Sequence, residues 1–213
     1  MASRYPVNID LRNRRCLVVG GGSVAARKVG DLLAAEAQVT VVAPTLTGAL
    51  SELVEAGEVS HLERTYSSSD VAGSEPDAPP RPGSRWWFVV AATDDHDLNR
   101  AVAEDCERAA TWVNVVTEPD GGPVARPAVH RSGPVTVTVA TDGVHPGAAA
   151  WLRDRVAGAI EPDHLVLLDL LVEVRRRRPG FRPSWQAVLD SGTLDHIREG
   201  RVAEAKERLE ACL

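Results

Sequence analysis

No stretch of the chain approaches the ~20 consecutive apolar residues that a membrane-spanning helix needs, and no basic-then-apolar leader opens it, so a soluble, unexported protein is expected. Cysteine is scarce. Cys16, Cys106 and Cys212 are odd in number and lack metal-ligand spacing, and Cys16 and Cys106 lie in apolar-periodic stretches where cysteine behaves as a small hydrophobe. A reduced, cytoplasmic setting follows. An excess of positive charge is also missing: the formal net charge of -6 argues against a nucleic-acid partner. The one dense basic run, Arg175-Arg176-Arg177-Arg178, reads as a solvated helix end, where cations complement the macrodipole. With 213 residues the chain is long enough for one large domain or a medium one plus a small one, and it needs no covalent staple.

What is present is an alternation of strand and helix patterns. Cys16-Leu17-Val18-Val19 and Val39-Thr40-Val41-Val42-Ala43 are short apolar runs, and a helical pattern from Ser23 to Ala37, with Val24, Val29, Leu32 and Leu33 on one face, lies between them. Nearly continuous hydrophobes suit parallel strands covered on both sides. A helix (Gly48 to Ala56), a strand (Val59 to Leu62), an apolar run (Trp86 to Ala91), a helix (Leu98 to Ala109) and a strand (Trp112 to Val116) continue the series, which predicts a doubly wound α/β sheet. Ser67 to Ser84 has almost no hydrophobes and reads as a mobile surface loop. Beyond it, Pro134 to Val139 alternates strictly, as a strand with one exposed face does, and helices are expected from His145-Pro146 through Val156, then over His164 to Arg177, Ser184 to Leu189 and Val202 to Leu209.

The first strand enters Gly20-Gly21-Gly22-Ser23-Val24-Ala25. A Rossmann phosphate-binding turn needs a glycine for the tight turn, a glycine where pyrophosphate approaches the backbone, and a small residue where helix packs on strand. Gly20, Gly22 and Ala25 meet these needs, and the helix start offers free N–H donors and a partial positive charge. The second strand ends in Ala43-Pro44-Thr45, with neither an acid for the adenosine ribose nor an arginine for a 2′-phosphate, so NAD is favoured over NADP. Ala91-Ala92-Thr93-Asp94-Asp95, with Asn99 one turn on, lies where open α/β sheets bind ligands. Ala92 and Thr93 are expected to touch the cofactor, whereas cofactor contact and helix capping both stand for the acids.

These segments, with Arg27-Lys28, Asn114-Val115-Val116 and Pro127-Ala128-Val129 with Arg131, make roughly Tyr5 to Ile160 resemble the precorrin-2 dehydrogenase family of siroheme biosynthesis. The resemblance implies NAD-dependent oxidation of precorrin-2 to sirohydrochlorin, ferrous iron as a further substrate where a member also acts as ferrochelatase, and a homodimer. It implies three regions: an NAD-binding Rossmann domain (1–116), a dimerisation and substrate region (117–160) and a helical C-terminal domain (161–213). It carries the nucleotide contacts onto Ser23, Val24, Pro44 and Thr45.

The chain departs from that family in two places. The family usually has an aspartate, regarded as its acid/base group, directly after Asn-Val-Val, and here Thr117 stands there, with Glu118 next and Asp120 two residues on. A threonine hydroxyl cannot accept a proton as a carboxylate does. The family's serine-rich turn before the long helix is Ala140-Thr141-Asp142-Gly143-Val144-His145-Pro146 here; Asp142 and His145 read either as a substitute acid/base pair or as a turn residue and an exposed helix start. Glu118, Asp142 and His145 are thus the catalytic candidates. A carboxylate-rich tetrapyrrole calls for cations, for which Arg126, Arg131 and Arg153 are candidates beside Thr141, although each arginine also reads as a solvated surface residue. No metal site is expected; His130 reads as a strand residue. Two alternatives stay open: a non-catalytic NAD- or tetrapyrrole-binding relative, and a dehydrogenase or chelatase for another tetrapyrrole or metal.

Overall fold

The computed structural model describes residues 4–72, 86–118, 121–180 and 182–212. The chain divides into two units, Met1–Arg126 and Pro127–Leu213. In the first, the elements run β1 (Arg15–Val19), α1 (Ser23–Leu33), β2 (Gln38–Ala43), α2 (Gly48–Glu55), β3 (Val59–Glu63), α3 (Ser69–Ala72), β4 (Phe88–Ala91), α4 (His96–Arg108) and β5 (Trp112–Val115). The strands form one parallel sheet in the order β3-β2-β1-β4-β5, the doubly wound α/β arrangement of a Rossmann-like domain.

Both faces of the sheet's centre are covered, which is why β1 and β4 read as apolar runs, whereas β3 at the edge, Val59-Ser60-His61-Leu62-Glu63, does not. Cys16, Val18, Val39 and Val41 pack with Val29 and Leu32 of α1 and Leu50 of α2 on one face. Leu17, Val19, Val42, Val89 and Val113 pack with Val102 and Cys106 of α4 on the other. Burial pushes the Cys16 thiol up to about 11 and the Cys106 thiol to about 12, so both stay protonated hydrophobes. The strand order reverses around β1, whose neighbours β2 and β4 connect in opposite directions, and the crevice at such a point is where open sheets take ligands.

Three expectations change here. Helix α1 ends at Leu33 rather than Ala37, because the chain must turn into β2: Ala37 N donates back to Leu32 O and Glu36 adopts φ +57. Val24 does not share the core face of α1 but is 39 % exposed, and the buried positions are Ala25, Lys28, Val29 and Leu32. The expected loop from Ser67 begins instead with α3, whose Val71 is buried and whose Asp70 carbonyl accepts from Trp86 Nε1; its remainder, 73–84, lies outside the described residues.

The second unit opens with an antiparallel hairpin of β6 (Ala128–Ser132) and β7 (Val135–Val139), joined at Gly133-Pro134 with Gly133 at φ +51, the positive φ that a two-residue hairpin turn uses. Helix α5 (Pro146–Ala157) packs on the hairpin. Helices α6 (Pro162–Arg177), α7 (Trp185–Asp190), α8 (Thr193–Arg198) and α9 (Val202–Glu210) enclose a core that includes Leu167, Leu170, Val174, Val188, Ile197 and Leu209. The arginine run closes α6 at an exposed end, with Arg177 paired to Glu173 at 2.8 Å. Among the described residues no helix is long and apolar enough to cross a membrane.

Candidate dinucleotide site

A cleft of about 690 Å³ opens at the carboxyl ends of β1, β2 and β4. The glycine loop that lines it fixes its shape through three different constraints. Gly20 sits at φ +121, and a Cβ there would fall 2.5 Å from Ala92 O. At Gly21 a Cβ would lie 1.9 Å from Thr45 O, while Thr47 N donates to the Gly21 carbonyl, so the loop is clamped onto the segment after β2. Gly22 has nothing within 4 Å of its Cβ position and an extended backbone that any residue can adopt. It is the open glycine, where a phosphate can reach the chain.

Gly22 is also the N-cap of α1, and no side chain caps that helix. The first N–H groups of an uncapped helix are donors in search of an acceptor, at the positive end of the dipole. Gly20, Gly22, Ser23 and Val24, with Pro44, Thr45, Ala92 and Thr93, all line the cleft. Ala25 does not reach it; it is fully buried in the α1 contact with the sheet, which is the packing duty of the third position. Among the described residues that line it there is no lysine or arginine, whereas Asp94 and Asp95 line it. Asp95 is committed to capping α4, its Oδ1 accepting from Asp97 N (2.9 Å) and Leu98 N (3.0 Å).

Asn99, fully buried in the first turn of α4, joins the two walls beyond the loop. Its Oδ1 accepts from Thr93 N (3.2 Å) and Thr93 Oγ1 (2.8 Å), and its Nδ2 donates to Thr93 O (3.0 Å) and Thr117 Oγ1 (3.2 Å). Thr117 lines the cleft as a hydroxyl whose oxygen already receives a bond, so its own proton is free to be donated. Glu118 follows, part-exposed, with its Oε1 3.6 Å from His96 Nδ1. Asp120 lies outside the described residues.

Beneath the site, Lys28 of α1 is buried and donates through Nζ to Asn114 Oδ1 of β5 at 3.2 Å. Asn114 Nδ2 in turn donates to Val124 O, which holds the segment after Thr117 along β5. Burial first, then the charge of Arg126, bring the Lys28 ammonium down to about 8. Arg126 pairs with Asp31 at 2.7 Å. On the cleft's other flank, Tyr66 donates to Asp105 Oδ2 at 2.8 Å, and burial with that bond pushes its phenol well above the ordinary range. Sequence reasoning missed Lys28 and Tyr66 as site-building residues; the signal for Tyr66 was an aromatic three residues beyond a strand that ends at the ligand edge.

The remaining predicted residues belong to the second unit. Arg131 and His130 lie on β6. Thr141, Asp142 and Gly143 form a turn in which Val144 N donates to Thr141 O, with Asp142 at φ +44. His145 caps α5, its Nδ1 accepting from Gly147 N (3.0 Å) and Ala148 N (3.3 Å). Arg153 pairs with Asp154 at 2.7 Å and reaches Val129 O.

A family model described as putative NAD(P)-binding matches residues 7–128. Siroheme synthase of Thioalkalivibrio sulfidiphilus (strain HL-EbGR7) is 37% identical across 98% of this chain and 42% of that protein. Siroheme synthase of Chromobacterium violaceum is 35% identical across 97% of this chain and 43% of that protein. The chain therefore spans less than half the length of these curated relatives. Among solved structures, one titled SirC, precorrin-2 dehydrogenase shares the fold, with a TM-score of 0.70 at 23% identity, over 97% of this chain and 98% of that one.

Proposed function

The chain belongs to the putative NAD(P)-binding family, and from that premise we propose that it is an NAD-dependent dehydrogenase that oxidises precorrin-2 to sirohydrochlorin. The observation that carries the cofactor reading is the open Gly22 at the uncapped start of α1, in a cleft at the strand-order reversal. NAD rather than NADP is supported by a lining that, among the described residues, has no lysine or arginine and includes Asp94 and Asp95, which would repel a 2′-phosphate. The tetrapyrrole substrate is supported by the siroheme synthases that align with almost the whole chain. The same reading makes the protein a cytoplasmic homodimer that binds neither nucleic acid nor membrane.

When bound, NAD supplies hydride acceptance at its nicotinamide ring. The protein has then to orient that ring and receive the proton that leaves with the hydride. The α1 start, with Ser23 and Val24, would hold the phosphates, with Pro44, Thr45, Ala92 and Thr93 as further contacts to the cofactor. Thr117, an acceptor toward Asn99, donates into the cleft and steers an acceptor group of cofactor or substrate. Glu118, beside His96, receives the proton directly or through water. Asp142 and His145 stand as the alternative acid/base pair, and Arg126, Arg131, Thr141 and Arg153 as substrate contacts.

Thr117 favours a second reading, a relative that binds dinucleotide or tetrapyrrole without turning it over. The deciding experiment incubates the full chain with precorrin-2 and NAD, follows sirohydrochlorin by absorbance, and then adds ferrous iron. Sirohydrochlorin formation is expected; its absence in the presence of measured NAD binding overturns the dehydrogenase. Disappearance of sirohydrochlorin faster than in a protein-free control adds the ferrochelatase activity, and a rate equal to the control removes it.

A further inference from the structure

We propose that Tyr66 forms the adenine wall of the dinucleotide site, with Asp105 as the residue that positions its ring. This inference rests on the cofactor reading above. Adenine is a flat heteroaromatic that is held by flat apolar surfaces rather than by charge. Tyr66 is the one aromatic residue among the described residues lining the cleft, where it is accompanied by Val42 and Leu98. It lies three residues after β3 ends at Glu63 and shares the cleft lining with Val42, Ala43 and Thr45 at the end of β2, the strand end at which the adenosine ribose of a dinucleotide is met.

The ring is fixed from behind. Its hydroxyl donates at 2.8 Å to Asp105 Oδ2, a carboxylate only 5 % exposed on α4 that is also gripped by Arg108. A buried carboxylate is costly unless fully bonded, so a tyrosine that only filled space would be served more cheaply by phenylalanine on an apolar partner. The Tyr66–Asp105–Arg108 chain instead locks the ring at one angle beside the cleft, which lowers the entropy lost when a base stacks on it. Because burial and the Asp105 bond push the phenol up, it remains a donor throughout the physiological range and the ring angle does not vary with pH.

The test compares two probes on the full chain by calorimetry: ADP-ribose, which carries adenine, and reduced nicotinamide mononucleotide, which does not. In Tyr66→Leu, ADP-ribose and NAD are expected to bind about tenfold more weakly, in the range measured for base–aromatic stacking, with the mononucleotide unchanged. Tyr66→Phe, which keeps the ring but loses the bond to Asp105, and Asp105→Ala, which removes the acceptor, are each expected to give an intermediate loss. Equal weakening of both probes, or none, overturns the assignment. Should Tyr66→Leu not fold, the wild-type chain decides by NMR. It contains two tyrosines, and with Tyr5→Phe as background the adenine H2 and H8 of bound ADP-ribose are expected to show contacts to the Tyr66 ring. Bound ADP-ribose without such contacts overturns the wall. Failure of the wild type to bind either NAD or ADP-ribose overturns the cofactor reading itself.

Discussion

The two ends of the cleft are built from different materials. At the glycine loop the ligand-facing groups are backbone: an uncapped helix start, an open Gly22, and carbonyl contacts that forbid a Cβ at Gly20 and Gly21. At the Thr117 end the contacts are side chains, with Asn99 bonding to Thr93 and Thr117 and Glu118 beside His96. A backbone site constrains which residue types are sterically possible, whereas a side-chain site constrains only that partners meet. The first therefore tolerates little drift in sequence, and the second can change its residues without altering the fold.

The strongest way to break this contrast is at Gly21. Gly21→Ala drives a Cβ to 1.9 Å from Thr45 O, backbone that cannot swing away, and is expected to cost more than about 4 kcal/mol in stability and to abolish NAD binding. Gly22→Ala meets nothing within 4 Å and adopts its φ without strain, so thermal stability should hold while NAD affinity falls at least about tenfold. Calorimetric melting and titration of the two variants side by side check both; equal melting temperatures would erase the distinction between the clamped and the open glycine. At the other end, Glu118→Gln is expected to lower the precorrin-2 oxidation rate about 10²-fold at unchanged NAD affinity. An unchanged rate moves the proton acceptor elsewhere, and the same assay on His145→Ala then tests the second candidate pair.

The contrast also explains what the sequence disclosed. The parallel sheet was legible because strands buried on both faces must be apolar throughout, as Cys16 to Val19 and Val39 to Ala43 are. The loop was legible because φ +121 at Gly20 and the contact at Gly21 demand glycine. Partnerships between side chains distant in sequence left no such mark. Tyr66 and Asp105 are separated by 39 positions and Lys28 and Asn114 by 86, and neither pair has a spacing that betrays it. Strand β6 was legible only as a strand context around His130, because Ala128–Ser132 carries no apolar alternation; its bounds follow from the alternating β7, which needed a partner, and from the two-residue turn at Gly133-Pro134. His145 was legible as a helix start, yet its ring as the cap was not, because serine, threonine, aspartate and asparagine lead at that position.

Asn99 is where the two ends meet, and it offers the next smaller effect. Asn99→Ala removes a fully buried side chain and leaves the Thr93 amide without its acceptor, while the Thr93 hydroxyl keeps Asp95 O at 3.0 Å, at an expected cost of about 2 kcal/mol. Denaturant midpoints measure it. If the residue also aligns the walls, turnover should fall further than NAD affinity does; a parallel fall in both would make Asn99 purely structural.

The smallest effect comes from Lys28, which ties the helix of the backbone-built end to Asn114 on the strand that leads to Thr117. Its ammonium is lowered from 10.5 to about 8 by burial, so between those values the unfolded chain binds a proton that the folded chain has released. Stability must then rise with pH across that window, and the penalty is fully present below about pH 8. The gain from pH 7 to 9 is expected to be about 1 kcal/mol. Cys16 and Cys106 act in the opposite sense above about pH 9, because their thiols are raised by burial and the unfolded chain ionises first. The informative quantity is accordingly the difference between wild type and Lys28→Met, in which the cysteines cancel. That difference should shrink by about 1 kcal/mol from pH 7 to 9, and a difference independent of pH would mean that Lys28 keeps its charge in the fold and that its bond to Asn114 stays charge-assisted throughout.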